Sequence, residues 1–196
     1  MINSHTDMAP TILTMLGLPL REEFDGAPIG FSAEALSTSN KTELVNVEHW
    51  NSVPGSGGVN TYKAMRLLSD EYSFMYSKWC SGDREFYDMI TDPGQMSNRL
   101  ASTPVGTAQK YYGRSEDELF ERLDALLMVA KSCSMDSCRE PWRELFPGGQ
   151  VFNLTDAMRP EYDSFFAKQP KVSFERCIQM HVVSKEGPQD VIPFEE

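Results

Sequence analysis

The stretch "TYKAMRLLSDEYSFMYSKWCSGDREFYDMI" runs from Thr61 to Ile90, and its reading decides the fold. In its middle, Tyr72, Phe74 and Tyr76 alternate with Ser73, Met75 and Ser77, the two-residue period of a half-buried strand. The β-rich run before it is separated only by a tight turn near Asp70, and "REFYDMI" follows the Ser81-Gly82-Asp83 turn. Upstream, "ELVNVEHW" (43–50) sets Leu44 apart from Val45 and Val47, leaving one face mainly apolar. Four strand candidates, the last three joined by short turns, predict an antiparallel meander.

The clearest helix is "SEDELFERLDALLMVAKSC" (115–133). Ser115 and Glu118 form a capping box, acids fill the first turn and Lys131 sits in the last, each favourable at its end of the helix. Leu119, Leu123, Leu126, Leu127 and Ala130 share one face, which predicts packing across the sheet. The expected class is therefore α+β. A second, shorter helix opens the chain in "SHTDMAPTILTMLGLP" (4–19), with Asp7 as N-cap, Pro10 in the first turn, and Gly17 and Pro19 as the stop. Met8, Ile12, Leu13, Met15 and Leu16 make it too apolar to stand without a larger partner. Residues 20–42, 52–60 and 101–114 read as loops. From Arg139 onward the chain is rich in proline and aromatics, has little periodicity, and is expected to wrap the surface in short helical pieces.

Composition narrows the function classes. The chain has 196 residues and a net charge of -11, which argues against nucleic acid or an anionic membrane as partner. No apolar run approaches the ~20 residues of a transmembrane helix, and "MINSHTDMAP" lacks the features of a signal peptide. Asn40 and Asn153 nevertheless head N-glycosylation sequons, and Cys80, Cys133, Cys138 and Cys177 make an even number, both features of secreted chains. The cysteines could serve zinc, but structural zinc sites favour two-residue spacings, so disulfides are favoured. A Cys133–Cys138 bridge would pin the helix end, and Cys80–Cys177 would tie the tail to the sheet. His5, His49 and His181 form no ligand or triad pattern, and Gly55–Gly58 lacks the Lys-Ser/Thr of a phosphate loop. Asp88 and Asp92 flank a turn and are expected to bond local backbone.

Three motifs carry a family resemblance. "EFYDMITDPGQMSNRL" (85–100) resembles the "E-L-Y-D-L…D-P-x-E…N-L" segment near the C-terminal end of sulfatases. "SHTDMAPTILTMLGLPLREEFDGAPI" (4–29) resembles the stretch that closes the sulfatase catalytic domain. "KSCSMDSCREPW" (131–142) is similar to the cysteine segment of fungal arylsulfatases and N-acetylglucosamine-6-sulfatases. The resemblance implies that residues 1–42 are the tail end of an alkaline-phosphatase-like α/β catalytic domain with its linker. Residues 43–196 would then be the C-terminal α+β subdomain. It implies a secreted or lysosome- or vacuole-like location, and a parent reaction that hydrolyses a sulfate ester to an alcohol or phenol and sulfate.

The family's formylglycine arises from Cys-x-Pro-Ser-Arg and works with a calcium ion, yet none of the four cysteines here begins that motif. No catalytic, cofactor-binding or metal residue is therefore assigned. The expected partner is an upstream sulfatase catalytic domain, through which alone a sulfate ester is reached. The alternative is a stand-alone, non-catalytic binding module derived from a sulfatase.

Overall fold

The computed structural model describes residues 3–32, 43–50, 60–101 and 109–195. Asn40 and most of the glycine-rich 52–60 stretch lie outside them. Four strands form one sheet in sequence order: β1 (Leu44–His49), β2 (Tyr62–Leu68), β3 (Ser73–Trp79) and β4 (Arg84–Asp88). Every neighbouring pair is antiparallel, with Leu44 opposite Leu67, Leu67 opposite Phe74, and Phe74 opposite Asp88. At the β2–β3 turn the Ser69 hydroxyl accepts from the Glu71 and Tyr72 amides at 3.0 and 3.2 Å. At the β3–β4 turn Gly82 takes φ +93°, a conformation that side-chain-bearing residues avoid.

The meander and the α+β class are as the alternation predicts. One detail differs. Leu44, Asn46 and Glu48 lie on the same sheet face as Met65 and Lys63, and Asn46 Nδ2 reaches Ala130 O at 3.1 Å. The apolar Val45 and Val47 thus turn away from the helix, because antiparallel register fixes which parity faces it.

After α1 (Met8–Met15), the long helix α2 spans Glu116–Ser132 behind its Ser115–Glu118 capping box. Leu119, Leu123, Leu126 and Leu127 are fully buried in one cluster with Met65, Leu67, Phe74, Tyr76 and Phe86 of the sheet. Ala125, Met128 and Val129, on its other faces, are buried as well. The reason is the tail, which does more than wrap the surface. It folds as α3 (Asp136–Arg139), α4 (Pro141–Leu145), α5 (Leu154–Ala157) and α6 (Asp163–Phe166). Trp142, Leu145, Phe146, Leu154 and Phe166 from these pieces and their flanks enter the same core. Phe146 meets the rings of Tyr162, Phe165, Phe166 and Phe194 at 4.8–5.8 Å, an aromatic knot with mostly tilted or edge-on geometry. Each short piece supplies one or two anchors, too few for a periodicity to show.

The first segment behaves differently. A 3-10 turn at His5–Asp7 precedes α1. Asp7 does not cap α1 as expected: Ser4 caps the turn, and the Asp7 carboxylate bonds back to Ser4 N at 2.8 Å and to Ala27 N at 2.9 Å. The loop after α1 therefore returns to its start, helped by Thr11 Oγ1, which accepts from Ile29 N at 2.9 Å. Gly26 lies so close to the Thr6 carbonyl that a Cβ there would collide with it. The body holds this segment through Asp25, whose Oδ1 accepts from Met135 N at 2.7 Å, and through Arg139, which donates to Glu22 O at 3.4 Å. No residue of 3–32 joins the core cluster, and Met8, Ile12, Met15 and Leu16 are 51–72% exposed.

Leu126 has no exposed surface in the core that α2, the sheet and the tail share. Leu126→Ala is expected to cost about 2–5 kcal/mol and to lower the thermal midpoint by roughly 5–15 °C. A melt followed by circular dichroism checks this, and a loss under about 1 kcal/mol would show that the tail does not close over the helix.

Candidate functional site

The residues singled out from sequence serve the fold. Cys80 pairs with Cys177 and Cys133 with Cys138. The first bridge joins the β3–β4 turn to the tail, and the second closes a loop in which Met135 is held at φ +52°, a strained value for a residue with a side chain. Asp88 Oδ1 accepts from Ile90 N at 3.0 Å, and Asp92 accepts from Met96 N and Ser97 N at 3.0 and 2.9 Å. Asn98 extends the β4 edge, accepting from Phe86 N at 3.1 Å and donating to Arg84 O at 3.0 Å. The "D-P…N-L" motif is thus a device that stops β4 and seals its edge. Asn153 caps α5 through Asp156 N at 2.8 Å. His49 stacks on Tyr62, while His181 stacks on Trp50 and meets Glu186 at 3.2 Å.

Two charged clusters lie around α2, both unassigned in the sequence reading. At its C-terminal end, Lys63 is fully buried and pairs with Glu48 at 3.0 Å and Glu186 at 3.3 Å, beneath the Trp50 ring. Lys131 lies 3.8 Å from Glu186, and burial, chiefly, holds its ammonium below the usual lysine value, with Lys63 adding to that and Glu186 opposing it. Glu48 and Lys131 border a cleft of about 330 Å³ shared with Asp25, Asn46 and Arg139. Midway along the helix, Asp124 accepts from Tyr76 OH at 2.7 Å and meets Lys78 at 2.6 Å. Desolvation, with the Asp124 charge behind it, pushes the Tyr76 hydroxyl far above its ordinary value, so it stays protonated. The signal was available: Lys78 shares the parity of Tyr72, Phe74 and Tyr76, and Lys63 that of Met65 and Leu67.

A third group joins the layers at the sheet's start. Glu43 accepts from Trp142 Nε1 at 2.9 Å, from Leu154 N at 3.0 Å and from the Tyr72 hydroxyl. Burial pushes its carboxyl up to about 7, against the opposing pull of the Trp142 and Leu154 hydrogen bonds.

None of these groups has the makings of the sulfatase centre. Among the described residues no group of three or more His, Cys, Asp or Glu is placed to hold a metal ion, and all four cysteines are in disulfides. The described residues therefore offer no grouping that fits the calcium ion that the resemblance implies, and the four disulfide-bonded cysteines do not fit its formylglycine. No described helix is long and apolar enough to cross a membrane.

No protein-family model matches the chain. Over 97% of its length it is 37% identical to Sulfatase ppz1 of Metarhizium majus. Over 90% of its length it is 28% identical to an arylsulfatase of Chlamydomonas reinhardtii and 27% identical to one of Volvox carteri. The match spans only 39%, 29% and 28% of those relatives' own lengths. One solved structure, of a protein in complex with its substrate D-glucosamine-2-N,6-O-disulfate, aligns at TM-score 0.39 and 20% identity over 49% of this chain and 19% of that one, a likeness too slight to argue from. The chain resembles sulfatases over nearly its whole length. The relatives it matches include a sulfatase and two arylsulfatases.

The Glu43 environment has a signed consequence. Its folded-state pKa lies above the ordinary 4.5, so its stabilising contribution is fully present below 4.5 and is lost as pH rises through about 7. Between pH 8 and pH 4.5 it is expected to add at most about 3 kcal/mol. Glu43→Gln, which can present the same acceptor and a donor in place of the acid proton, should flatten that slope. Urea denaturation at stepped pH is the check, and identical slopes in both proteins would exclude it.

Proposed function

We propose that this chain is the C-terminal portion of an arylsulfatase-type sulfuric ester hydrolase. Residues 1–42 would be the tail end of its catalytic domain with the linker, and 43–196 its C-terminal subdomain. The parent reaction is hydrolysis of a sulfate ester to an alcohol or phenol and free sulfate, in a secreted or lysosome- or vacuole-like setting. The observation that carries the reading is the lopsided match, covering 97% of this chain but 39% of its 37%-identical relative. The exposed apolar side of α1 supports it. Met8, Ile12, Met15 and Leu16 form the kind of contiguous apolar surface that another element covers. An upstream catalytic domain is that partner, and it would bring the formylglycine and calcium for which the described residues offer no fitting group.

The chemistry needs a nucleophile, a metal and donors aimed at developing charge, and removing even one such donor typically costs about 10²–10³ in rate. The purified chain, supplied with calcium and a chromogenic aryl sulfate, is therefore expected to give no turnover above the buffer blank. Co-expression with a catalytic portion from a sulfatase relative should bring the two polypeptides together and restore hydrolysis. Turnover by the chain alone, in a preparation free of host sulfatase, would overturn the reading.

A further inference from the structure

At the turn end of the β3–β4 hairpin, positive charge gathers beyond what the fold uses. Asp124 is the one carboxylate at the centre. Lys78, 8% exposed, meets its Oδ1 at 2.6 Å, and Lys171 stands 3.8 Å from its Oδ2. Arg84, the exposed first residue of β4, carries its charge near the Tyr76 hydroxyl, which donates to Asp124. Lys78 also donates to Val172 O at 3.4 Å, but Lys171 Nζ is shielded from solvent and has no hydrogen-bond acceptor. Beside them opens a pocket of about 170 Å³, lined by Lys78, Gly82, Asp83, Arg84 and Ser173 among others. Asp83 at its rim accepts from Ser81 Oγ at 2.8 Å.

We propose that this pocket binds a tetrahedral oxyanion, sulfate or phosphate, free or as a monoester, through Lys78 and Arg84 of its lining, with Lys171 adding positive charge from beside Asp124. Three cations face one buried carboxylate and one rim carboxylate in a protein whose net charge is -11, so the local excess runs against the whole. Burial chiefly lowers the Lys78 pKa and Asp124 opposes it, while Arg84 and Lys171 add smaller depressions, the repulsion that a bound dianion would relieve. The Arg84 guanidinium and the Lys78 ammonium supply charge-assisted donors of the kind that hold such anions, and the volume admits one ion with attached water. The property belongs to this chain's own residues, whatever it is joined to.

The test is thermal melting of the full chain in sodium sulfate and in glucose 6-sulfate, against sodium chloride at equal ionic strength. Sulfate stabilises most proteins a little by exclusion, so the readout is the difference between wild type and the Arg84→Gln and Lys171→Gln variants. With a dissociation constant on the order of 1 mM, 20 mM sulfate should raise the wild-type midpoint by roughly 4–7 °C above that of the variants. Without the anion, Lys171→Gln should melt no lower than wild type, since it removes a repelling charge. A shift with inorganic sulfate alone identifies the free ion as ligand; a shift with both identifies a site open to esters. The proposal is overturned if the variants keep the wild-type shift. It is equally overturned if Lys171→Gln melts several degrees lower without sulfate, which would make that ammonium structural.

Discussion

A charge carried into the interior of a protein must be met there, and helix α2 carries three. Arg122, Asp124 and Lys131 are all buried on a helix that is otherwise the apolar centre of the molecule. Each is answered from a different place. Arg122 donates to the Ala157 carbonyl at 3.0 Å and meets Asp163 at 2.5 Å, both in the tail. Asp124 is met by Tyr76 and Lys78 of β3, and Lys131 by Glu186 near the C-terminus. Leaving any of these unanswered would cost several kcal/mol, so sheet, helix and tail are bound to one arrangement. Apolar packing supplies the cohesion, and the buried charges fix which surfaces meet.

The sheet's start and the tail are joined by the same logic at Glu43, whose carboxylate collects donors from β3's approach, from α4 and from α5. The hydrogen bonds of Asp92 and Asn98 finish the opposite edge of the sheet. The sulfatase-like motifs around Asp92 and the Cys133–Cys138 loop therefore read as scaffold in this chain. That fits a similarity that covers most of this chain but a minor share of each relative.

Sequence alone made the sheet legible because Tyr72, Phe74 and Tyr76 alternate over a long enough run to set the period. The α2 helix announced itself by its capping box and leucine stripe. The tail stayed hidden because α3 to α6 are each only four or five residues long, shorter than the span over which helical periodicity can register. The charged clusters were missed for another reason. A lysine in a strand reads as solvent-facing by residue type, and only the register of Lys63 and Lys78 with apolar neighbours says otherwise. The Asp7 cap was misread because a carboxylate before an apolar helix looks like a cap, whereas here it bonds to Ser4 and to Ala27, 20 residues away. The family resemblance was visible in motif order, since its residues are those that shape turns and edges.

The manner in which residues 3–32 meet the rest gives the molecule two grades of cohesion. The sheet, α2 and the tail share one continuous apolar core and two covalent ties. The first segment closes on itself through Asp7, Thr11 and Gly26, then touches the body through backbone-directed hydrogen bonds at Asp25 and Arg139. Hydrogen bonds of this kind give only about 1 kcal/mol each when water can replace them. Detachment of the segment is thus a low-energy excursion compared with opening the core, the distinction that native-state amide exchange draws between local and global unfolding. The seam lies beside Met135, in the loop that the Cys133–Cys138 bridge holds rigid. One side of the joint is closed by a disulfide and the other by its own hydrogen bonds, so the segment's internal fold does not rest on its contacts with the body.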